Sequence, residues 1–276
     1  MLRTLKAVPM LALLALPLAL AGCGKSQGKN PVAPQTQAAG QADVAVSGGE
    51  SGSRGARAVA KVMFVHASPD APAVDIFAGK RPVAWRLSFP NQTPYRVLRS
   101  GTRDVRVNVA GTKTTVINAP VTFEARKAYS VFAVNTVSNL SPLVLTDDLT
   151  RPAAGNAHVR FIHLSPNAPA VDIGVTGVPT PVFPNKSFKE FTPFTPLPAG
   201  TYDLEVRAAG TQNVVLPLPG IKLEAGKIYT VFAKGLLGGT GAQALGAQII
   251  VNSQGWNRGG DDRGPDDGDD DDRPLR

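Results

Sequence analysis

The chain has 276 residues and carries 29 Lys and Arg against 21 Asp and Glu, which gives a formal net charge of +8. Cys23 is the single cysteine, so the sequence excludes an intramolecular disulfide and a thiolate metal cluster. The basic residues are scattered, with no short Lys/Arg-rich segment or nucleic-acid-binding motif, and they predict a solvated basic surface without a nucleic-acid partner.

The first predicted element is an export signal in residues 1–22. Arg3 and Lys6 form a positive start, and an apolar stretch follows over residues 7–20. This stretch contains two prolines and is shorter than the roughly 20 apolar residues of a transmembrane helix. The pattern is therefore typical of a secretory signal peptide.

The signal ends in Leu20-Ala21-Gly22-Cys23, which resembles the lipobox of bacterial lipoproteins. The resemblance implies that Cys23 receives a thioether-linked diacylglycerol, that cleavage occurs before it, and that an acyl chain such as palmitate caps the new N-terminus. We expect a membrane anchor in the cell envelope. Residue 24 is glycine and not the aspartate that signals inner-membrane retention, so in a two-membrane bacterium we expect the protein on the outer membrane. In a single-membrane bacterium we expect it on the outer face of the cell membrane. The alternative is an ordinary signal peptide with a chance cysteine.

Two segments outside the body have the composition of unstructured chain. Residues 23–57 are rich in Gly, Ser, Gln, Ala and Pro, which predicts a flexible tether. Residues 255–276 contain eight Asp and four Arg with almost no apolar residue, which predicts a disordered acidic tail. The tail lacks the spacing and the glutamate of an EF-hand calcium loop.

The body of the chain is an internal repeat. VMFVHASPDAPAVDI at 62–76 returns as VRFIHLSPNAPAVDI at 159–173, and later segments of the two copies match in the same order. Apolar and polar residues alternate in each copy, and Gly and Pro recur every 8–12 residues. We therefore predict an all-β protein with two tandem β-sandwich domains, of immunoglobulin or transthyretin type, at 58–150 and 155–254. Residues 129–134 and 229–233 are apolar on both faces and are predicted to be central strands.

The repeated motif is similar to the opening segment of the bacterial domain-of-unknown-function family 4397. The resemblance covers both repeats and implies an exported, all-β module that is often found on lipoproteins. It implies no catalytic activity. The second copy departs from the family pattern at Asn167, where the first copy has Asp70. Either side chain offers an acceptor oxygen to a turn, so this exchange favours a structural role at the position.

Four residues of the motif are candidates for a ligand-binding or structural role: His66 and Asp75 in the first copy, and His163 and Asp172 in the second. We expect each histidine to pair with the aspartate of its copy across neighbouring strands. Catalysis is disfavoured, because a histidine, serine and acid at alternate positions of one segment cannot align as a triad. The spacing also predicts no metal site and no cofactor.

Three aromatic residues, Trp85, Tyr95 and Phe191, lie in segments where the two copies differ most. Aromatic rings in loops can stack on sugars, and the alternative is that they pack at the sandwich edge or between the domains. The sequence thus predicts a non-enzymatic, lipid-anchored envelope protein whose modules serve binding, adhesion or surface structure, with a glycan or another envelope protein as partner. The alternative function is a carbohydrate-binding module, and a hydrolase is less favoured.

Overall fold

The computed structural model describes residues 58–252. The predicted signal, the tether, Cys23 and the acidic tail lie outside this range. Within it, the regular structure consists of strands and two short 3-10 turns, Val137–Asn139 and Gly241–Gln243. None of the helical segments in this range has the length and hydrophobicity to cross a membrane. The predicted all-β fold is confirmed.

The strands divide into two consecutive halves. The first half contains β1 (Val59–His66), β2 (Val74–Ala78), β3 (Arg81–Leu87), β4 (Arg96–Arg99), β5 (Gly101–Val109), β6 (Thr115–Phe123), β7 (Ala128–Val134) and β8 (Ser141–Asp147). The second half contains β9 (Asn156–His163), β10 (Val171–Val175), β11 (Phe183–Lys186), β12 (Thr195–Pro198), β13 (Gly200–Ala208), β14 (Val214–Leu223), β15 (Ile228–Lys234) and β16 (Gly246–Val251).

Each half is a sandwich of two four-stranded sheets with the same topology. The strand orders are β4-β1-β7-β8 and β3-β2-β5-β6 in the first half, and β12-β9-β15-β16 and β11-β10-β13-β14 in the second. The pairs β1–β7 and β9–β15 are parallel, and the other strand pairs are antiparallel. We call β4-β1-β7-β8 and β12-β9-β15-β16 the inner sheets, and the other two the outer sheets.

Alternating side chains of the two sheets form the core of each half. In the first half, Phe64 of β1, Ile76 of β2 and Val131 of β7 belong to one buried cluster. The second half repeats it with Phe161 and Ile173. Residues at alternate positions of a strand point to the same face, so the apolar alternation of the sequence fixes which face packs inward.

The inner sheets are buried on their second face as well, because they pack against each other. Met63 and Phe132 of the first half share a buried cluster with Ile162 and Phe232 of the second. The rings of Phe132 and Phe232 meet edge to face, with centroids 6.0 Å apart. Packing on both faces explains why every residue of β7 is buried. The strand orders confirm that β7 and β15 are central strands.

A buried ion pair crosses this interface. Nη1 of Arg160 on β9 lies 2.8 Å from Oδ1 of Asp147 on β8, and both side chains are almost fully buried. The hydroxyls of Ser130 and Tyr95 each donate to Oδ2 of Asp147 at 2.7 Å. The carboxylate therefore has partners on both oxygens, as a buried charge requires.

The second half completes the network. Arg160 donates through Nη2 to the hydroxyl of Thr230 at 3.0 Å, and that hydroxyl donates to Asn252 at 2.7 Å. The amide of Asn252 donates to the Tyr95 hydroxyl at 2.9 Å, which closes the chain of contacts. Burial, followed by the charge of Asp147, raises the pKa of Tyr95, so its hydroxyl keeps its proton and remains a donor.

We expect Asp147→Asn to lower the free energy of unfolding by about 3–5 kcal/mol, since it leaves the Arg160 guanidinium buried without a counter-charge. Denaturant unfolding of the purified chain measures this change. Asp148→Asn is the matched control, because Asp148 is exposed and its loss should change stability by no more than about 0.5 kcal/mol. Equal, small effects of the two variants would show that the ion pair does not hold the halves together.

Candidate functional site

The histidines of the repeated motif are fixed by backbone contacts. His66 ends β1 and His163 ends β9, and both are fully buried. Nε2 of His66 lies 2.9 Å from the carbonyl of Pro72, and Nε2 of His163 lies 3.0 Å from that of Pro169. A carbonyl only accepts, so each Nε2 carries the proton. Burial lowers the pKa of both histidines, and the neutral ring is the folded form.

The expected pairing of these histidines with Asp75 and Asp172 is wrong. The Asp75 carboxylate accepts from the backbone amides of Arg86 and Gly111, both at 2.8 Å. Asp172 accepts from the equivalent amides of the second half, at 2.6 and 2.8 Å. Both aspartates lie on the outer face of their outer sheet, opposite to the face that packs inward, and one amide of the neighbouring strand and one of the following turn cover each of them.

Asp75 thereby holds a bulge in the neighbouring strand. Val74 pairs with Leu87 and Ile76 pairs with Ala84, so β3 has one residue more than β2 over this interval. Arg86 adopts a left-handed conformation at the bulge, with φ of 50°, and donates its amide to the Asp75 carboxylate. A bulge redirects the side chains beside it, and here the redirected residue is Trp85.

The motif position occupied by Asp70 or Asn167 ties the motif to the loop after the central strand. Oδ1 of Asp70 accepts from the amide of Val137 at 2.8 Å, and Oδ1 of Asn167 accepts from that of Leu237 at 2.8 Å. The shared acceptor oxygen explains why Asn replaces Asp here. The amide group of Asn167 also donates to the Leu237 carbonyl at 3.0 Å, a bond that a carboxylate cannot make.

The free energy of unfolding should fall as the pH falls below about 6.5, the usual pKa of histidine. The unfolded chain binds protons at His66 and His163 in this range, whereas the folded chain, with lowered pKa values, does not. Each histidine changes the free energy of unfolding by at most about 1.4 kcal/mol per pH unit. Denaturant unfolding from pH 5 to 8 measures the slope, and a His66→Gln/His163→Gln double variant should lose this component. An unchanged slope in that variant would contradict the assignment.

Trp85 is the centre of an exposed aromatic group on the outer sheet of the first half. Its side chain is 64% exposed. The ring of Phe77 on β2 meets it edge to face, with centroids 5.5 Å apart, and Cζ of Arg106 on β5 lies 4.8 Å from the centroid of Phe77. Nε of Arg106 has no hydrogen-bond partner within residues 58–252. We call Trp85, Phe77 and Arg106 the aromatic platform.

The second half has the same backbone at this place and different side chains. Register places Gly174 at the position of Phe77, Glu205 at that of Arg106, and Pro184 at that of Trp85. Arg207 fills the space over Gly174, forms an ion pair with Glu205, and donates to the carbonyls of Val175, Val178 and Pro179. The loop that contains Val178 and Pro179 thus covers, in the second half, the face that is exposed in the first half.

The three aromatic candidates of the sequence lie in three different places. Trp85 is on the platform. Tyr95 belongs to the interface between the halves, where its hydroxyl contacts Asp147 and Asn252. Phe191 is 48% exposed and forms an isolated bridge with Ile162 beside β9. They do not form one binding surface.

The geometry around the motif does not resemble a nucleophilic site. Ser68 donates to the Asp70 carboxylate at 3.4 Å, while His66 contacts the Pro72 carbonyl. Among residues 58–252, no cluster of three or more His, Cys, Asp and Glu is placed to hold a metal ion. What the arrangement offers chemically is an exposed indole that meets the Phe77 ring edge to face, with the Arg106 cation over the Phe77 ring.

Phe77 and Arg106 were not among the candidates from sequence. They are paired across β2 and β5, and this pairing depends on strand register, which a single sequence does not fix. One signal was present: Phe77 directly follows the repeated motif, where the second copy has Gly174.

The fold and the site define a tandem β-sandwich protein with an aromatic platform on one half. The chain belongs to the family described as domain of unknown function (DUF4397), which matches residues 60–174 and 177–260. The first match continues through β9 into β10 of the second half. No curated protein matches the chain.

One solved structure that the chain matches weakly is that of CBMbc, a family CBM26 module from Eubacterium rectale Amy13K, in complex with maltoheptaose. The TM-score is 0.22 and the sequence identity 7%, over 70% of this chain and 96% of that one. This similarity carries no functional argument for the present chain.

Proposed function

We propose that the protein is a non-enzymatic, lipid-anchored binding protein of the cell envelope, and that the aromatic platform of its first half recognises a polysaccharide. The observation that carries the proposal is the exposure of Trp85 at a bulge, beside Phe77 and Arg106. An indole left in water forgoes about 25 cal/mol for every Å² of apolar surface that it could bury.

The chemistry of the platform suits a sugar ring. A pyranose presents an apolar face of C–H groups that covers an aromatic ring, and its hydroxyls accept hydrogen bonds at the edge. Trp85 supplies an exposed aromatic ring, and the Arg106 guanidinium, which lies over the neighbouring Phe77 ring, supplies donors. The Asp75 carboxylate holds the bulge from beneath, so the platform is already built before a ligand binds.

The absence of an enzymatic role is part of the proposal. It is supported by the partners of the motif residues, since His66 and Asp75 each contact backbone groups rather than a nucleophile. These buried contacts order the loops of each sandwich, and this structural role accounts for the repeated motif. A hydrolase would need a polar group aimed at the substrate, and the platform offers Arg106 alone beside two aromatic rings.

Trp85→Ala should weaken binding to the preferred polysaccharide by at least about ten-fold, which corresponds to a loss of about 1.4 kcal/mol. Calorimetric titration of the purified full chain with a neutral α-glucan, a neutral β-glucan and a polyuronate identifies that ligand. Phe191→Ala is the matched control, because it removes an exposed aromatic ring from the second half. It should leave the affinity unchanged.

Fluorescence gives a second measurement of the same site. The chain has two tryptophans, Trp85 and Trp256, so Trp256→Phe leaves Trp85 as the only indole. Its emission should shift to shorter wavelength in saturable fashion when the sugar covers it. Failure of all three polysaccharides to bind, or equal affinity of the Trp85→Ala variant, would refute glycan recognition at the platform.

Cys23→Ala should move the protein from the membrane fraction to the soluble fraction, because the variant has no attachment point for the diacylglycerol. Stable anchoring needs more than one acyl chain, and the lipobox pattern supplies them. Cell fractionation followed by detection of the protein measures the distribution, with Ser26→Ala as the control that stays with the membrane. Continued membrane association of the Cys23→Ala variant would contradict the anchor.

A further inference from the structure

The second half contains a cavity of about 70 Å³ at one end of its sandwich. Both sheets contribute to its wall. The wall includes Val171, Val206, Ala208, Leu216, Ala233 and Leu245, and none of the residues lining it is Asp, Glu, Lys or Arg. The ring of His163, which burial keeps neutral, also borders it. The interior is therefore apolar and uncharged.

The cavity found between the sheets of the first half is smaller. Strand register places Val109 at the position of Ala208, and valine fills more of the gap between the sheets. The cavity between the sheets of the first half has about 10 Å³. The two copies can therefore be compared directly: the space between the sheets is more tightly packed in the first half and open in the second.

Leu237 and Val215 form the rim of the cavity, and their side chains are 51% and 40% exposed. The loop that carries Leu237 is tightly built. A Cβ at Gly235 or Gly239 would overlap backbone atoms of Gln243 and Ala244, so this loop path requires glycine.

Asn167 fixes the rim from the other side. It binds both the amide and the carbonyl of Leu237, whereas Asp70 of the first half binds the amide of Val137 but not its carbonyl. The departure of the second copy from the family motif at Asn167 therefore holds the residue at the mouth of the cavity. The opening is a defined feature of the fold.

We propose that this cavity binds the uncharged end of a small aliphatic molecule. The apolar wall excludes charged groups, because a charge loses its hydration there without a partner. A cavity of about 150 Å³ holds a benzene ring, so 70 Å³ accommodates a few carbon atoms of a chain. The open mouth between Leu237 and Val215 leaves the polar end of the molecule in water. This site is separate from the aromatic platform and takes a different ligand.

The test is a titration of the full chain with 1-hexanol, monitored by methyl carbon–proton NMR. Saturable shifts of the Leu237, Val171 and Leu245 methyl groups are expected. Hexane-1,6-diol carries a hydroxyl at both ends and so has no apolar end, and it should bind at least ten-fold more weakly than 1-hexanol. The absence of saturation, or equal binding of the diol, would overturn the proposal.

Ala208→Val gives the second half the residue of the first and should weaken 1-hexanol binding at least ten-fold. Ala154→Val is the matched control at an exposed position and should bind as the unchanged chain does. If Ala208→Val does not fold, Leu237→Glu replaces it, because an exposed rim residue tolerates a charge, and a hydrated carboxylate at the mouth should weaken binding of an apolar chain. Unchanged binding by the folded variant would refute the site. Trp85→Ala should leave 1-hexanol binding intact, so this test is independent of glycan binding.

Discussion

The arrangement of the protein depends on the contact between its two inner sheets, and the Arg160–Asp147 ion pair is the central polar element of that contact. A buried charge pair contributes little net stability compared with an apolar pair, but loss of one partner is costly. The apolar cluster around Phe132 and Phe232 supplies the burial, while the ion pair specifies which surfaces meet. Because the inner sheets are covered on both faces, each half depends on the other for part of its core.

The ion pair also distinguishes one copy from the other. Met63 occupies the position of Arg160 in the first copy, and Asn252 occupies the position of Asp147 in the second. Two first halves packed in this way would bring together two aspartates without an arginine, and two second halves would bury two arginines without a carboxylate. Both arrangements leave buried charge unpaired. The asymmetry therefore favours pairing of the unlike halves of the chain, although their folds are the same.

The sequence was informative wherever structure follows from local pattern. Alternation of apolar residues and the repeated motif predicted the strands, the two halves and the central position of β7 and β15. The sequence did not predict the interface between the halves. Arg160 resembles any other basic residue in an alternating strand, because its partner in the other half cannot be identified from the sequence. The pairing of His66 with Asp75 was wrong for a related reason. Both side chains contact backbone groups of a loop, a bulge or a turn, whose paths a single sequence does not fix.

The interface also determines where a ligand has room to bind. The inner sheets use both faces for packing, so only the outer sheets and the loop ends of each sandwich remain available. The two proposed sites lie in these places: the platform on an outer sheet, and the cavity at a loop end. In both cases the strand framework is shared between the copies, and the difference rests on a few side chains and on the loops beside them. Gly174 and Arg207 close the platform position in the second half, just as Val109 fills the cavity position in the first. The two copies thus share one strand framework, and each is open at a position that side chains fill in the other.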